Sequence, residues 1–248
     1  MKLTVVGRAP AWTMRRDDPS SSYLVEDGTT AIVMDLGQGA LGALAEVRKP
    51  ESVDAIFVSH LHPDHHADLV ALRHYLRFGM KPPGSVRLHG PGELRSRYDA
   101  FLGEAGFLDG LPGEDVTAST FSIGSLIVQA RPVTHALNSH AFRVTTDGGA
   151  NGLVYSGDCG QAADLVPLMV AGDTLLCEAF WGTTVAEANV QHLTAIDAAW
   201  AARAGRAERL ILTHIPDAHD PAGSATAAAR SFGGEVLLAR PGLQVDIA

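Results

Sequence analysis

The sequence predicts an α/β fold in which two β-sheets pack on one another, and three observations lead there. Short β-branched and apolar runs recur along all 248 residues, too many for one small sheet. Segments with apolar residues three and four apart are interspersed with them, which is the spacing of one helix face. Nearly half the chain is hydrophobic, 46%, enough to bury a sizeable core. Chains of this length often form one domain, so residues 1–248 are expected to be a single unit.

In chain order, LTVV at 3–6 and TAIVM at 30–34 are rich in residues that suit a pleated surface. LGALAEV at 41–47 sets Leu41, Leu44 and Val47 on one helical face. AIFV at 55–58 returns to strand, and DLVALRHYLRF at 68–78 to helix. GEAGFLDGLPGED at 103–115, rich in Gly and acids, reads as a surface connection within the domain. Strands follow at SLIVQARPV (125–133), LVYS (153–156) and TLLC (174–177). The helix TAIDAAWAARA spans 194–204, with Thr194 placed to cap its first turn and Asp197 three residues on to answer it. His192 therefore falls in a loop beside a helix start. LILT at 210–213 and EVLLA at 235–239 complete the strands.

Composition excludes several classes. No stretch approaches the roughly 18 uninterrupted apolar residues of a membrane span. The apolar run in MKLTVVGRAP is too short for a secretory signal. A cytoplasmic protein with no membrane partner is expected. Two cysteines, Cys159 and Cys177, suggest no disulfide framework and are read as reduced. A formal net charge of −9 opposes a sequence-independent grip on long nucleic acid, so no stable nucleic-acid complex is expected. The one basic cluster, Arg15-Arg16, is followed at once by Asp17-Asp18 and reads as a solvated loop, with a phosphate contact left open.

Strand after strand ends in a residue able to bind a cation or move a proton. AIFVS runs into His60, SLIVQARPVT into His135, LVYSG into Asp158, TLLC into Glu178 and LILT into His214. Strand ends along one sheet edge converge in space, so these five imply one pocket. In SHLHPDHH, residues 59–66, His60 and His62 sit two apart in extended backbone and share a face. Asp64 and His65 follow a turn favoured by Pro63. Such a geometry can serve two ions. Imidazole with carboxylate suits zinc, and manganese or iron stay open because ligand type alone does not decide. A lone histidine is ordinarily a hydrogen-bonded surface or core residue, and His74, His89, His140 and His219 are read that way. His66, outside the spacing, is expected to stand behind the ligands.

His60-Leu61-His62-Pro63-Asp64-His65, with His135, Asp158 and His214 downstream in that order, resembles the metallo-β-lactamase superfamily over essentially the whole chain. The resemblance implies a four-layer αββα sandwich, two mixed sheets with helices on the outer faces. It implies one metal held by His60, His62 and His135, another by Asp64, His65 and His214, and Asp158 bridging both. LLCEAFW at 175–181 with HLTAIDAAWAA at 192–202 looks like the ribonuclease Z and phosphodiesterase branch, where a Glu and a His, here Glu178 and His192, assist the leaving group. SSYLVEDGTTAIVMDLGQGALGAL at 21–44 resembles that branch and also small bacterial proteins related to cyclic nucleotide phosphodiesterases.

One departure bears on substrate. Ribonuclease Z enzymes carry a tRNA-gripping arm, commonly between the third histidine motif and the bridging aspartate, yet only residues 136–157 separate His135 from Asp158. With the acidic balance, this favours a small phosphodiester, a cyclic nucleotide or cyclic ribose phosphate, with an oligonucleotide end open. The expected chemistry is hydrolysis by a hydroxide bridging two divalent ions, which lower the pKa of water from about 15.7 toward about 7. Asp64 would orient it, and His192, held by Glu178, would protonate the leaving oxygen. The alternatives are a ribonuclease Z-like RNA phosphodiesterase, a lactone, thioester or β-lactam hydrolase on the same metals, and a catalytically silent binding protein. A flavin-partnered di-iron protein usually has a carboxylate where this chain has His62. Cys159 reads as a small buried thiol beside Asp158. Substrate contacts by Arg15, Arg16, Trp181 or His140, and assembly as a homodimer, stay open.

Overall fold

The structure, a computed structural model, describes residues 1–247 apart from residue 118. Several of the apolar runs form strands that are covered on both faces. Along the chain lie β1 (Lys2–Gly7), β2 (Ser22–Asp27), β3 (Thr30–Met34), α1 (Ala40–Val47), β4 (Ala55–Phe57), α2 (Leu69–His74), β5 (Arg87–His89) and α3 (Leu94–Leu102). Then come β6 (Thr120–Ile123), β7 (Leu126–Pro132), β8 (His140–Thr146), β9 (Gly152–Tyr155) and β10 (Thr174–Glu178). The chain ends with α4 (Ala195–Ala204), β11 (Arg209–Thr213), α5 (Pro221–Phe232), β12 (Glu235–Leu238) and β13 (Gln244–Asp246). Among the described residues they make a six-stranded sheet, ordered β13-β1-β2-β3-β4-β5, and a seven-stranded sheet, ordered β12-β11-β10-β9-β8-β7-β6.

β3 shows why the layers are four. All five of its residues are buried. Ile32 and Met34 enter the core between the sheets, with Phe57, Phe142, Tyr155, Leu176 and Ile211. Ala31 and Val33 turn the other way, into a core shared with Leu44 of α1 and Leu69 and Leu72 of α2. On the second sheet Leu175, Cys177, Leu210 and Leu212 face the alanines of α4 and Ala228 of α5. A strand buried on both sides reads as a continuous apolar run because alternate residues serve different cores. Each fully buried aliphatic or aromatic side chain contributes roughly 1.5–3 kcal/mol. The outcome is the αββα sandwich of the metallo-β-lactamase fold.

Thr194 caps α4 as its spacing suggested. Its hydroxyl accepts from the Asp197 amide at 3.1 Å while the Asp197 carboxylate accepts from the Thr194 amide at 3.0 Å. Segment 103–115 departs from a purely surface reading, since Phe107, Leu108 and Leu111 are buried beneath it in the α2 and α3 core. Its polar composition belongs to the turns that carry these three side chains inward. β8 was not legible in the sequence because it carries Arg143 inside the fold, where the guanidinium binds both oxygens of buried Asp173 at 2.8 and 2.9 Å. Short β5, β6 and β13 carry too few residues to show a period. Among the described residues no helix is long and apolar enough to cross a membrane.

The pairings β3–β4 and β9–β10–β11–β12 are parallel, so the C-terminal ends of these strands within each sheet reach the same edge. That edge carries the chemistry-bearing residues.

Candidate metal centre

The motif after β4 is extended through His62 (φ −80°, ψ 138°), and Pro63 then starts a single 3-10 turn that carries Asp64 and His65 inward. The loop after β3 lies directly against this turn. A Cβ on Gly37 would stand 2.0 Å from the Asp64 carbonyl oxygen, so only glycine allows the approach. Asp35 and His214 hold left-handed backbone conformations, φ 60° and 61°, that L side chains rarely adopt. Both leave the ends of strands facing this edge, where such local strain recurs at functional sites.

Seven side chains from four connections gather here in two groups. One contains His60, His62, His135 and Asp158, the other Asp64, His65, Asp158 and His214. Within each group the ligand atoms lie within 4.8 Å of one another. Asp158 belongs to both. Its Oδ2 lies 3.6 Å from His60 Nε2, 3.7 Å from His135 Nε2 and 3.4 Å from His214 Nε2, and its Oδ1 lies 3.3 Å from His65 Nε2. Asp64 Oδ2 stands 3.5 Å from His65 Nε2 and 3.7 Å from His214 Nε2.

These groups fit divalent cations on the chemistry of the donors themselves. His60 Nε2, His65 Nε2 and Asp158 Oδ1 are buried with no hydrogen-bond partner, which is costly unless a cation takes the lone pairs. The opposite ring nitrogens are engaged. His65 Nδ1 lies 2.7 Å from Asp35 Oδ2, and His135 Nδ1 donates to the Gln191 carbonyl at 2.6 Å. Ser59 Oγ donates to Asp35 at 2.8 Å and so accepts from His60 Nδ1 at 3.1 Å. His214 Nδ1 meets Ser21 Oγ at 3.1 Å. A ring held at Nδ1 presents Nε2 in a fixed direction, as metal-binding histidines do.

Burial pushes His60 well below the usual imidazole range and also lowers His62, His135 and His214, keeping these rings neutral with a lone pair to offer. Burial opposes charge on His65 as well, but Asp158, Asp35 and Asp64 outweigh it and raise its pKa well above the usual range. A divalent cation among the same carboxylates would take the place of that proton. Burial likewise opposes the Asp64 anion, yet His65 and His214 hold it down at about 2.

Beside the groups stands a second pair. His192 Nδ1 lies 2.9 Å from Glu178 Oε1 and 3.9 Å from Asp158 Oδ2, and its ring is 4.8 Å from that of His135. Glu178 is itself fixed by the amides of Cys159, Phe180 and Leu193 at 3.1, 2.9 and 3.2 Å. Burial disfavours the charged imidazole, but the Glu178 carboxylate outweighs it and raises His192 to about 9.

Residues 30–215 match the beta-lactamase superfamily domain. The chain belongs to that superfamily. It is 33% identical over 232 residues to the uncharacterized protein ML1173 of Mycobacterium leprae, covering 87% of this chain and 78% of the relative. It is 26% identical over 250 residues to the probable metallo-hydrolase YhfI of Bacillus subtilis, 98% of each chain. The crystal structure of YhfI superposes with a TM-score of 0.88 at 23% identity, over 100% of this chain and 99% of that one. The short form of human tRNase Z superposes with a TM-score of 0.75 at 21% identity over the whole of both chains, a likeness of fold.

Within this superfamily site, Asp35 is the residue that sequence reasoning missed, although it leaves the strand TAIVM as His60 and Asp158 leave theirs. It binds His65, the Ser59 amide and hydroxyl at 2.7 and 2.8 Å, and the Tyr155 hydroxyl at 2.6 Å. Asp35→Ala is expected to weaken zinc affinity about 10- to 100-fold, the usual cost of losing a carboxylate behind a ligating histidine. Competition against a chromogenic chelator measures it, and unchanged affinity would refute the assignment. The remaining histidines lie apart from both groups. His74 Nδ1 bonds the Val70 carbonyl, His89 stacks on Phe57 at 4.8 Å, and His66 bonds the Tyr98 hydroxyl rather than any ligand. His219 meets the Phe180 carbonyl, and the His140 amide donates to Ser59 O, tying β8 to the motif. Cys159 and Cys177 are free and buried, and the Cys159 thiol donates to the Gln161 carbonyl, outside both groups. Trp181 is buried against His219, with ring centroids 5.6 Å apart.

Proposed function

We propose that this chain is a metal-dependent phosphodiesterase acting on a small phosphodiester, a cyclic nucleotide or a cyclic ribose phosphate. The observation that carries the reading is the Glu178–His192 pair set against the Asp158 side of the two ligand groups. His60, His62, His135 and Asp158 would hold one divalent ion, and Asp64, His65, His214 and Asp158 a second, with zinc suited to this imidazole and carboxylate set. Such ions supply a water made acidic enough to ionise near neutral pH and offset the charge of a phosphate oxygen.

The chain's own residues do the rest. Asp64 accepts a hydrogen bond from the attacking water and directs it at phosphorus. As the new P–O bond forms, the bond to the ribose oxygen breaks, and His192 gives that oxygen its proton. Glu178 holds the ring through Nδ1 and balances the imidazolium. The products are a phosphate monoester and a free hydroxyl. Thioester hydrolysis, which expels a weakly basic thiolate, has less need of this pair.

The fold around the site supports a small substrate. The interval 136–157, where a tRNA-gripping arm would be inserted, is consumed by β8, β9 and the short connections around them. The net charge of −9 opposes a polyanion. A screen of 3′,5′- and 2′,3′-cyclic nucleotides, cyclic ribose phosphate, short RNA, lactones and thioesters with zinc- or manganese-loaded protein tests the reading. Hydrolysis of a cyclic phosphodiester is expected, and a preference for RNA, lactone or thioester would overturn it.

A further inference from the structure

The loop 8–21 between β1 and β2 is anchored beside the ligand groups. The Arg8 carbonyl accepts from the His214 amide at 3.1 Å, and Arg8 Nη1 donates to the Ile215 carbonyl at 2.8 Å. The Arg8 guanidinium also pairs with Asp18 and, at 3.0 Å, with Asp217. So held, the loop lays Trp12 against Phe180, edge to face, with centroids 6.3 Å apart at 77°. Phe180 in turn stacks on His192, 4.6 Å away at 20°, and lies 6.3 Å from His214. A continuous row of rings thus leads from the proposed proton donor outward to Trp12.

Trp12 and Met14 border a groove of about 220 Å³ shared with Arg15, Pro216 and His219. Trp12 is 58% exposed and Met14 is 96% exposed. Two large apolar side chains are therefore left in water beside the site, while Trp181 is buried against His219. The charges of the groove are already matched. Arg15 faces Asp17 and Asp217, and Arg8 faces Asp18 and Asp217. A second phosphate would meet these acids, so a longer nucleic acid is disfavoured there. A flat uncharged ring gains an aromatic face and a polarisable thioether.

We propose that Trp12 stacks the nucleobase of the substrate, so that the protein selects cyclic nucleotides over base-free cyclic ribose phosphates. The proposal rests on the phosphodiesterase reading. Base stacking on an aromatic side chain is worth about 1–3 kcal/mol, which is roughly 5- to 150-fold in affinity. The test compares zinc-loaded wild type, Trp12→Ala and Trp12→Phe. Calorimetric binding of adenosine 5′-monophosphate against ribose 5-phosphate is one readout. The other is kcat and KM on 3′,5′-cyclic AMP against cyclic ribose phosphate.

Wild type is expected to prefer the base-bearing ligand by roughly fivefold or more in both assays. Trp12→Ala should lose most of that preference through KM, and Trp12→Phe should keep much of it. A preference that survives in Trp12→Ala overturns the base platform while leaving the phosphodiesterase reading intact. If wild type hydrolyses no phosphodiester, that reading falls, and the calorimetry alone decides the platform: a base preference lost in Trp12→Ala upholds it, and no preference overturns it.

Discussion

Asp158→Ala is expected to lose hydrolysis of every ester, whatever its leaving group, by roughly 10³-fold or more, since bound ions supply several kcal/mol and each 1.4 kcal/mol or so is tenfold in rate. Asp158 is the only residue shared by the two ligand groups, and its oxygens lie 3.3 to 3.7 Å from four imidazoles. Removing it leaves each group three histidine or carboxylate ligands and takes away the anion that would offset two cations held close together. Burial opposes charge on Asp158, yet His214, His65 and His60 outweigh it and keep its pKa well below the carboxylate range, so the lost group is an anion. Elemental analysis should show fewer metal ions per chain than wild type. Should alanine disturb folding, Asp158→Asn preserves the shape while removing the charge, and circular dichroism reports the fold. Retention of the full wild-type metal content by a folded variant would remove Asp158 from its shared role.

His192→Ala is expected to behave differently, because it takes away a proton rather than a ligand. On a ribose ester the leaving alkoxide is strongly basic, and turnover should fall about 10²- to 10⁴-fold, the range of general acid catalysis. On bis-p-nitrophenyl phosphate the leaving group departs without a proton, and the loss should be far smaller. Metal content should be unchanged, since His192 lies outside both ligand groups. The structure supports this division: Glu178 fixes His192 through Nδ1 and raises its pKa to about 9, so the ring carries a proton at neutral pH. Equal losses on both esters would assign His192 a positioning role instead.

The two variants together separate the ligand groups from the proposed proton donor. Their different signatures reflect how the site is built, for Asp158 leaves the end of β9 while His192 lies in the loop ahead of α4. The capping box at Thr194 and Asp197 starts α4 three residues beyond His192, so a local helix signal also settles where the imidazole stands.

What the sequence by itself determined about this protein is what short-range backbone geometry dictates. TAIVM, TLLC and LILT are strands because their apolar residues are consecutive, and both faces are buried. His60, His62, Asp64 and His65 reach one place because an extended pair and a proline-started turn bring them there. The tertiary structure alone decided the contacts between residues distant in sequence. Asp35 binds His65 across 30 positions, Ser21 meets His214 across 193, and the carbonyl holding His135 belongs to Gln191. It also buried Trp181 against His219 and left Trp12 exposed against Phe180, a choice that two isolated tryptophans do not reveal. The physical reason is that spacing along a strand or turn follows from a few dihedral angles. Separation across a sandwich depends on sheet order, register and packing, which no local run encodes.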